Sequence, residues 1–362
     1  MSETAELLAR LIEIESINPA LVPDGSGEAE IAAFAAGWLQ DRGLGAQVDE
    51  VAPGRANAIA TARGAGGGRS LLLCAHVDTV GVEGMQAPFE PRIDGDRMHG
   101  RGSFDMKGGV AAVMAAAAAV ADAGLRGDVI VALVCDEEHQ SIGAERVARE
   151  ITADAAILTE PTDLEVCVAH KGFVWLDVET TGVAAHGGRP DLGVDAIAAM
   201  GEMLVGLPRL GSDLAGSRPH PLLGTGSVHA SLIEGGQELS SYPERCLLRI
   251  ERRTVPGETL ADVERQIAEI AGGARVRSTF ERAPFEIAPD APIVDAVRRH
   301  AVTVLGREPA TFGYAAWMDA AVLSAAGIPT VVFGPSGAGA HAVEEWVDVS
   351  SVERCAEVLE AV

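Results

Sequence analysis

Four short, predominantly apolar runs, at residues 70–75, 129–134, 155–158 and 329–333, punctuate this chain. A strand with one wet face alternates apolar and polar residues, whereas a strand covered on both faces has no polar side to show. Runs like these therefore mark a sheet sandwiched between helical layers. Helix signals lie between them. Residues 6–14 have helical spacing. Ser26 offers an N-cap to a helix over 28–40 that carries acids in its first turn and ends toward Gly43, and the Ala-rich stretch 110–123 predicts a buried helix ending at Gly124. The alternation predicts an α/β fold, a layered and mostly parallel sheet with helices on both faces.

The pattern changes at Gly172. Phe173-Val174-Trp175-Leu176-Asp177-Val178-Glu179-Thr180 alternates like a half-exposed strand. Helix signals at 193–206 and 260–270 and strand signals at 228–233 and 246–251 then describe a small α+β unit. Beyond the proline-bearing linker 284–292, helical patterns at 293–305 and 317–326 flank the last buried strand. The expected organisation is one domain made of 1–171 and 284–362, interrupted by an inserted domain over 172–283.

Composition narrows the functions open to such a fold. Against 28 Lys and Arg stand 53 Asp and Glu, a formal charge of −25, so binding to a phosphate backbone lacks its main driving force and no nucleic-acid partner is expected. The longest apolar run, 110–121, is well short of the roughly 20 residues that span a bilayer, and no membrane partner is expected. The opening MSETAELLARLIEIES has acids where a secretory leader carries basic and then apolar residues, so the expected location is cytoplasmic. Five widely spaced cysteines without a C-x-x-C pair fit reduced core residues. Neither lysine follows a glycine, which excludes a Walker A loop. Gly334-Pro335-Ser336-Gly337-Ala338 only approaches a nucleophile elbow, and no HExxH helix occurs.

Polar residues able to hold a metal recur just after the apolar runs, where open α/β sheets place their sites. His76 and Asp78 follow the first run on one face of an extended segment. Asp105 lies in the glycine-rich GRGSFDMKGG, Glu137-Glu138 follow the second run, Glu160 follows the third, and His341 lies in the loop after the fourth. Taken singly, each has an ordinary reading: a hydrogen-bonded His–Asp pair, a turn acid, a solvated strand end, an acid before a proline, a loop histidine. Taken together, two histidines and three carboxylates form a mixed N/O set suited to zinc, cobalt or manganese, with enough ligands for a binuclear site if one carboxylate bridges. In extended chain, neighbouring Glu137 and Glu138 would point apart, one as base and one as ligand.

These segments, with LLLCAHVDTV, DEEHQSIGA, ILTEPTD, AHGGRPDLGVDAI, ERRTVPGET and GIPTVVFGPSGAGAHAVEEWV, resemble in order and spacing the M20 metallopeptidase family, which includes acetylornithine deacetylase, succinyl-diaminopimelate desuccinylase, aminoacylase and glutamate carboxypeptidase. The resemblance implies a zinc-exopeptidase-like fold whose inserted domain is a lid and dimerisation domain, with His170-Lys171-Gly172 at its start. It implies two divalent ions, zinc first and cobalt or manganese as alternatives, one held by His76, Asp105 and Glu160 and the other by Asp105, Glu138 and His341. It also implies a cis peptide after Asp105, Glu137 as the general base that takes a proton from the attacking water and returns it to the leaving amine, and Asp78 as the partner of His76.

In the inserted domain, the resemblance makes His186 an oxyanion stabiliser reaching the partner subunit of a homodimer, and Arg253 the partner of the substrate carboxylate. Ser240, in GGQELSSYP, stands where many relatives carry an Asn that contacts substrate. The activity implied is hydrolysis of the amide of a small N-acyl amino acid. Cleavage of short peptides by an exopeptidase with the same centre is the alternative, and a non-catalytic binding protein of the same fold is the third reading.

Overall fold

The computed structural model describes residues 2–362, which divide into two compact units. The first comprises residues 2–168, 287–312 and 318–362, and the second residues 169–286 and 313–317.

In the first unit, Leu71–His76 pairs in parallel with Val129–Val134 on one side and Ala155–Leu158 on the other, and Thr330–Val332 adds to Ala155–Leu158, also in parallel. Antiparallel strands finish both edges. The hairpin of Gly45–Ala52 and Arg55–Ala62 joins at Val129–Val134, and Val332 pairs with Cys167 at the other end. The predicted α/β sheet is thus parallel only at its centre. Its central strands are buried on both faces, which is why they lack alternation. Leu73, Ala75, Val131 and Leu133 face a core shared with Glu3–Glu13, Gly108–Ala119 and Val349–Ala361. The opposite layer includes Ile142–Glu150 and Ala320–Ala325, which pack on each other.

Two expectations change at helix ends. Ser26 does not cap the Ala29–Gln40 helix; its hydroxyl donates to the Glu15 carbonyl, and Glu28 occupies the N-cap without a side-chain bond. In the second unit, the helix expected to stop near Gly206 runs from Ala196 to Ala215, straight through Pro208. Leu207, Leu210 and Leu214 are buried beyond that point, so packing overrides the lost N–H.

The second unit is a four-stranded antiparallel sheet, ordered Ser227–Gly235, Arg245–Thr254, Gly172–Thr181, Arg275–Arg282. Val174, Leu176, Val178, Leu248 and Ile250 turn one face toward Met200, Met203, Val263 and Ile267 of its two helices. Asp195 caps the first helix, and a Thr259–Asp262 capping box starts the second. Among the described residues, no helix is long and apolar enough to cross a membrane.

Candidate active site

The polar residues expected to bind metal converge at the carboxyl ends of the central strands of the first unit. His76 closes its strand with a side chain 1% exposed, and its Nε2 lies 3.1 Å from Asp105 Oδ1 and 3.9 Å from Glu160 Oε1. His341 Nε2 lies 3.0 Å from Glu138 Oε2 and 3.5 Å from Asp105 Oδ2. Asp105 therefore stands between both histidines. Its peptide bond to Met106 is cis.

The strand end carrying Glu160 is approached very closely from two sides. A Cβ on Gly109 would sit 2.3 Å from the Thr159 carbonyl oxygen, and one on Gly334 would sit 2.2 Å from that of Glu160. Only glycine permits either approach, so the Asp105 loop and the loop leading to His341 can both close on Glu160.

Two of the expected local geometries are different in the structure. Glu137 and Glu138 do not lie in extended chain: Asp136, at φ +69°, turns the backbone, and the pair occupies a turn. His76 Nδ1 pairs with the backbone oxygen of Asp78 at 3.0 Å, while the nearer carboxylate oxygen of Asp78 is 3.6 Å away. The Asp78 carboxylate is engaged elsewhere. It accepts the N–H groups of Glu137 at 3.0 Å and Glu138 at 3.1 Å, and the amide of Asn18 at 2.8 Å. This buried aspartate thus orients His76 through its backbone and fixes the Glu137–Glu138 turn through its side chain.

Charge at the cluster is one-sided. Burial raises the pKa of Glu137, Glu138 and Glu160, and neighbouring carboxylates raise all three further. Burial alone would lower His76 and raise Asp105, but the charges around His76 carry it well above its ordinary value, and His341 and His76 hold Asp105 well below the usual carboxylate range. Hydrogen bonds to Asp105 and Glu138 push His341 up to about 10. Glu138 Oε1 and Glu160 Oε1 are buried without a hydrogen-bond partner. Orphaned carboxylate oxygens in a crowd of acids fit divalent cations, which would satisfy those lone pairs and offset the charge.

The tightest donor sets, with ligand atoms mutually within 4.8 Å, are His76 with Glu137 and Glu160, and His76 with Asp105 and Glu138. They cut across the partition implied by resemblance, and one of them includes Glu137 as a donor.

Around it runs a polar brace that the sequence did not announce. Asn18 bridges Asp78 to Asp136 Oδ1 at 3.1 Å, and Arg55 reaches Asp136 at 2.8 Å while gripping the fully buried Glu28 with two bonds of 2.6 Å. The one local signal was Asp136 standing directly before the Glu-Glu pair; Asn18 and Arg55 carry none.

The remaining candidates lie in the second unit. His186 is exposed, and its Nδ1 accepts the Gly188 N–H at 3.0 Å, which leaves the proton of the neutral ring on Nε2 as a donor. Ser240 is exposed on the facing segment, where its carbonyl accepts the Gly187 N–H at 2.6 Å. Arg253 is half-buried, bonds Glu251 at 2.7 Å and lies 5.1 Å over the Phe173 ring. The structure thus groups Ser240 with the His186 loop and leaves Arg253 on the sheet. Its neighbour Arg252 is the fully buried one, bonded to Glu258.

The first unit thus carries a strand-end cluster of histidines and carboxylates on an α/β sheet, a donor set that fits divalent cations. Residues 72–362 match the Peptidase family M20/M25/M40, and the chain belongs to that family. Among curated relatives, the acetylornithine deacetylase of Aliivibrio salmonicida is 28% identical over 99% of this chain and 97% of its own. Among solved structures, the M20 family metallo-carboxypeptidase Sso-CP2 from Sulfolobus solfataricus superposes with a TM-score of 0.79 at 18% identity, covering all of this chain and 98% of that one. The YXEP protein of Bacillus subtilis, described as a dinuclear metal binding peptidase, superposes with a TM-score of 0.75 at 16% identity over 99% and 96%. The chain is accordingly a metal-dependent hydrolase of amide bonds.

Proposed function

We propose that this protein is a dimetal amidohydrolase that removes a small acyl group from an N-acyl amino acid. The observation that carries this reading is the convergence of His76, Asp105, Glu138, Glu160 and His341 around two orphaned buried carboxylate oxygens, with a Glu137 oxygen within 4.8 Å of His76 and Glu160 donor atoms. The choice of an acyl amino acid is supported by likeness over nearly the full chain to a protein named acetylornithine deacetylase.

His76, Asp105 and Glu160 would hold one ion and Asp105, Glu138 and His341 the other. Zinc is the first choice, and cobalt or manganese would serve. When bound, the ions supply Lewis acidity and lower the pKa of water. Glu137 takes one proton from the attacking water on its carboxylate and delivers it to the amine nitrogen as the C–N bond breaks, so a carboxylate and an amine leave. His186 donates from Nε2 to the oxyanion, and Arg253 offers its guanidinium to the substrate carboxylate. Ser240, shorter than Asn, holds the His186 loop through its carbonyl.

A homodimer built on residues 172–283 belongs to this reading. Ser227–Gly235 is an edge strand carrying exposed Leu232 and Ile233, and the Ala196–Ala215 helix exposes Ile197, Leu204 and Val205. A cytoplasmic location is supported by five buried, free cysteines.

The test is a panel of N-acyl amino acids, acetylornithine among them, and dipeptides, assayed with zinc or cobalt. Turnover of acyl amino acids is expected. Turnover of peptides alone would replace this reading with that of an exopeptidase, and a chain that takes up no metal and loses nothing on Glu137→Gln would be a binding protein. For the dimer, mixing His186→Ala with Glu137→Gln subunits restores part of the activity if His186 acts across the interface, and restores none in verified mixed dimers if it does not.

A further inference from the structure

Four residues beyond His341, the Glu345 side chain is wholly buried and spends both oxygens on one loop. Oε2 accepts Arg101 Nη1 at 2.6 Å and the Gly102 N–H at 2.9 Å, while Oε1 accepts the N–H groups of Phe104 and Asp105, both at 3.0 Å. Arg101, 3% exposed, carries the connection further. Its Nε donates to the Gly81 carbonyl at 3.1 Å and its Nη2 to the Ala342 carbonyl at 3.0 Å. One ion pair therefore binds together three segments: the one leaving His76 and Asp78, the one carrying Asp105, and the one carrying His341.

A buried ion pair is a poor source of net stability, because desolvation of the two charges offsets most of their attraction. Apolar side chains could fill the same space. They could not specify where the Asp105 backbone stands, because that takes acceptors aimed at its N–H. His341 depends on such a device more than the other ligands do. Its side chain is 54% exposed and its backbone lies at φ +61°, so burial does not hold it, whereas His76, Glu138 and Glu160 are packed in place.

We propose that Arg101 and Glu345 are positioning residues that set the placement of Asp105 relative to His341, and thereby the affinity of the centre for the ion those two share with Glu138. The inference rests on the dimetal reading above. Both side chains are spent on each other and on backbone groups, so they act through Asp105 and His341.

Glu345→Gln preserves shape but turns two acceptor positions into an N–H₂ that faces other donors. The test begins with metal-free wild type and variant, whose folding is verified by circular dichroism and melting in chelator. Each is then titrated with zinc against a chromophoric chelator, and kcat and KM are measured at saturating zinc. The expected result is wild-type uptake of two ions and, in the variant, a weaker of the two steps reduced about 10–100-fold, with kcat falling more than KM rises.

If Glu345→Gln does not fold, Arg101→Lys keeps the charge but loses the fork to Gly81 and Ala342, and it must weaken zinc in the same direction. A folded variant with both affinities within about twofold of wild type overturns the inference, since loss of such outer partners costs about 10-fold or more. A wild-type chain that takes up no zinc overturns the dimetal reading and this inference with it. Two tightly bound ions in wild type and variant alike overturn this inference alone.

Discussion

In the first unit, His76, Asp78, Glu138 and Glu160 stand at the ends of adjoining strands or in the turns just after them, nearly stripped of solvent and cross-braced by Asn18, Asp136 and Arg55. In the second, His186 and Ser240 ride on exposed loops, and Arg253 lies on a sheet whose edge strand is open. The two regions manage polar groups differently. The first holds charges in a fixed pattern through buried hydrogen bonds, which suits a centre that must be organised before substrate arrives. The second leaves His186 and Ser240 accessible and lightly held, which suits contacts made only once substrate arrives.

On that contrast, substitutions in the first unit should damage the chemical step and those in the second should chiefly damage binding, except at His186, whose oxyanion contact would serve the chemical step. The largest effect is expected at Glu137. Glu137→Gln should lower kcat about 10²–10⁴-fold while zinc uptake stays near wild type, and steady-state kinetics beside metal analysis would show it. Retained activity would break the contrast at its strongest point.

Next comes Asp78→Asn, which replaces one acceptor for the Glu137–Glu138 turn with a donor. A loss of about 10–100-fold in kcat/KM together with weaker zinc binding is expected; full activity would mean that the turn holds itself. Arg253→Lys should be milder, raising KM about tenfold with kcat nearly unchanged, because a point charge cannot reproduce a two-pronged contact. A fall in kcat of the same size would move Arg253 from substrate selection to the chemistry.

The smallest effect concerns stability. Burial lowers the pKa of Lys107 to about 7, although the charges of Glu345 and Glu15 act in the other direction, and its Nζ donates to the Ile14 carbonyl at 2.7 Å. A lysine in the unfolded chain titrates near 10.4, so between about pH 7 and 10 the unfolded state binds more protons and this residue makes stability rise with pH. Lys107→Met removes that slope. Denaturant unfolding of the metal-free proteins at pH 7 and 9 should show wild type gaining about 2 kcal/mol relative to the variant, and a pH-independent difference would mean that Lys107 stays charged in the fold.

The candidate metal-binding residues were legible because strand ends on such sheets are where polar groups must emerge: His76, Glu137-Glu138 and Glu160 each follow an apolar run at once or within a few residues. The brace was not legible. Asn18 meets Asp78 across 60 residues and Arg101 meets Glu345 across 244, and nothing local distinguishes these side chains from surface ones. Ser26 shows the reverse error. It reads as a cap because capping is local, yet a tertiary partner, the Glu15 carbonyl, takes its hydroxyl. Glu137 and Glu138 read as extended in sequence because an Asp, although more tolerant of positive φ than most residues, does not by itself mark a turn after an apolar run.

By itself, the order of apolar runs determined a layered sheet and the places where chemistry can emerge from it, because burial on two faces and the polarity of strand ends are properties of single segments. Tertiary structure alone decided which acids share a cluster, which carboxylate oxygens stay without a partner, and which buried ion pair ties the ligand loops together. Those are relations between segments distant in the chain, set by packing that no local pattern encodes.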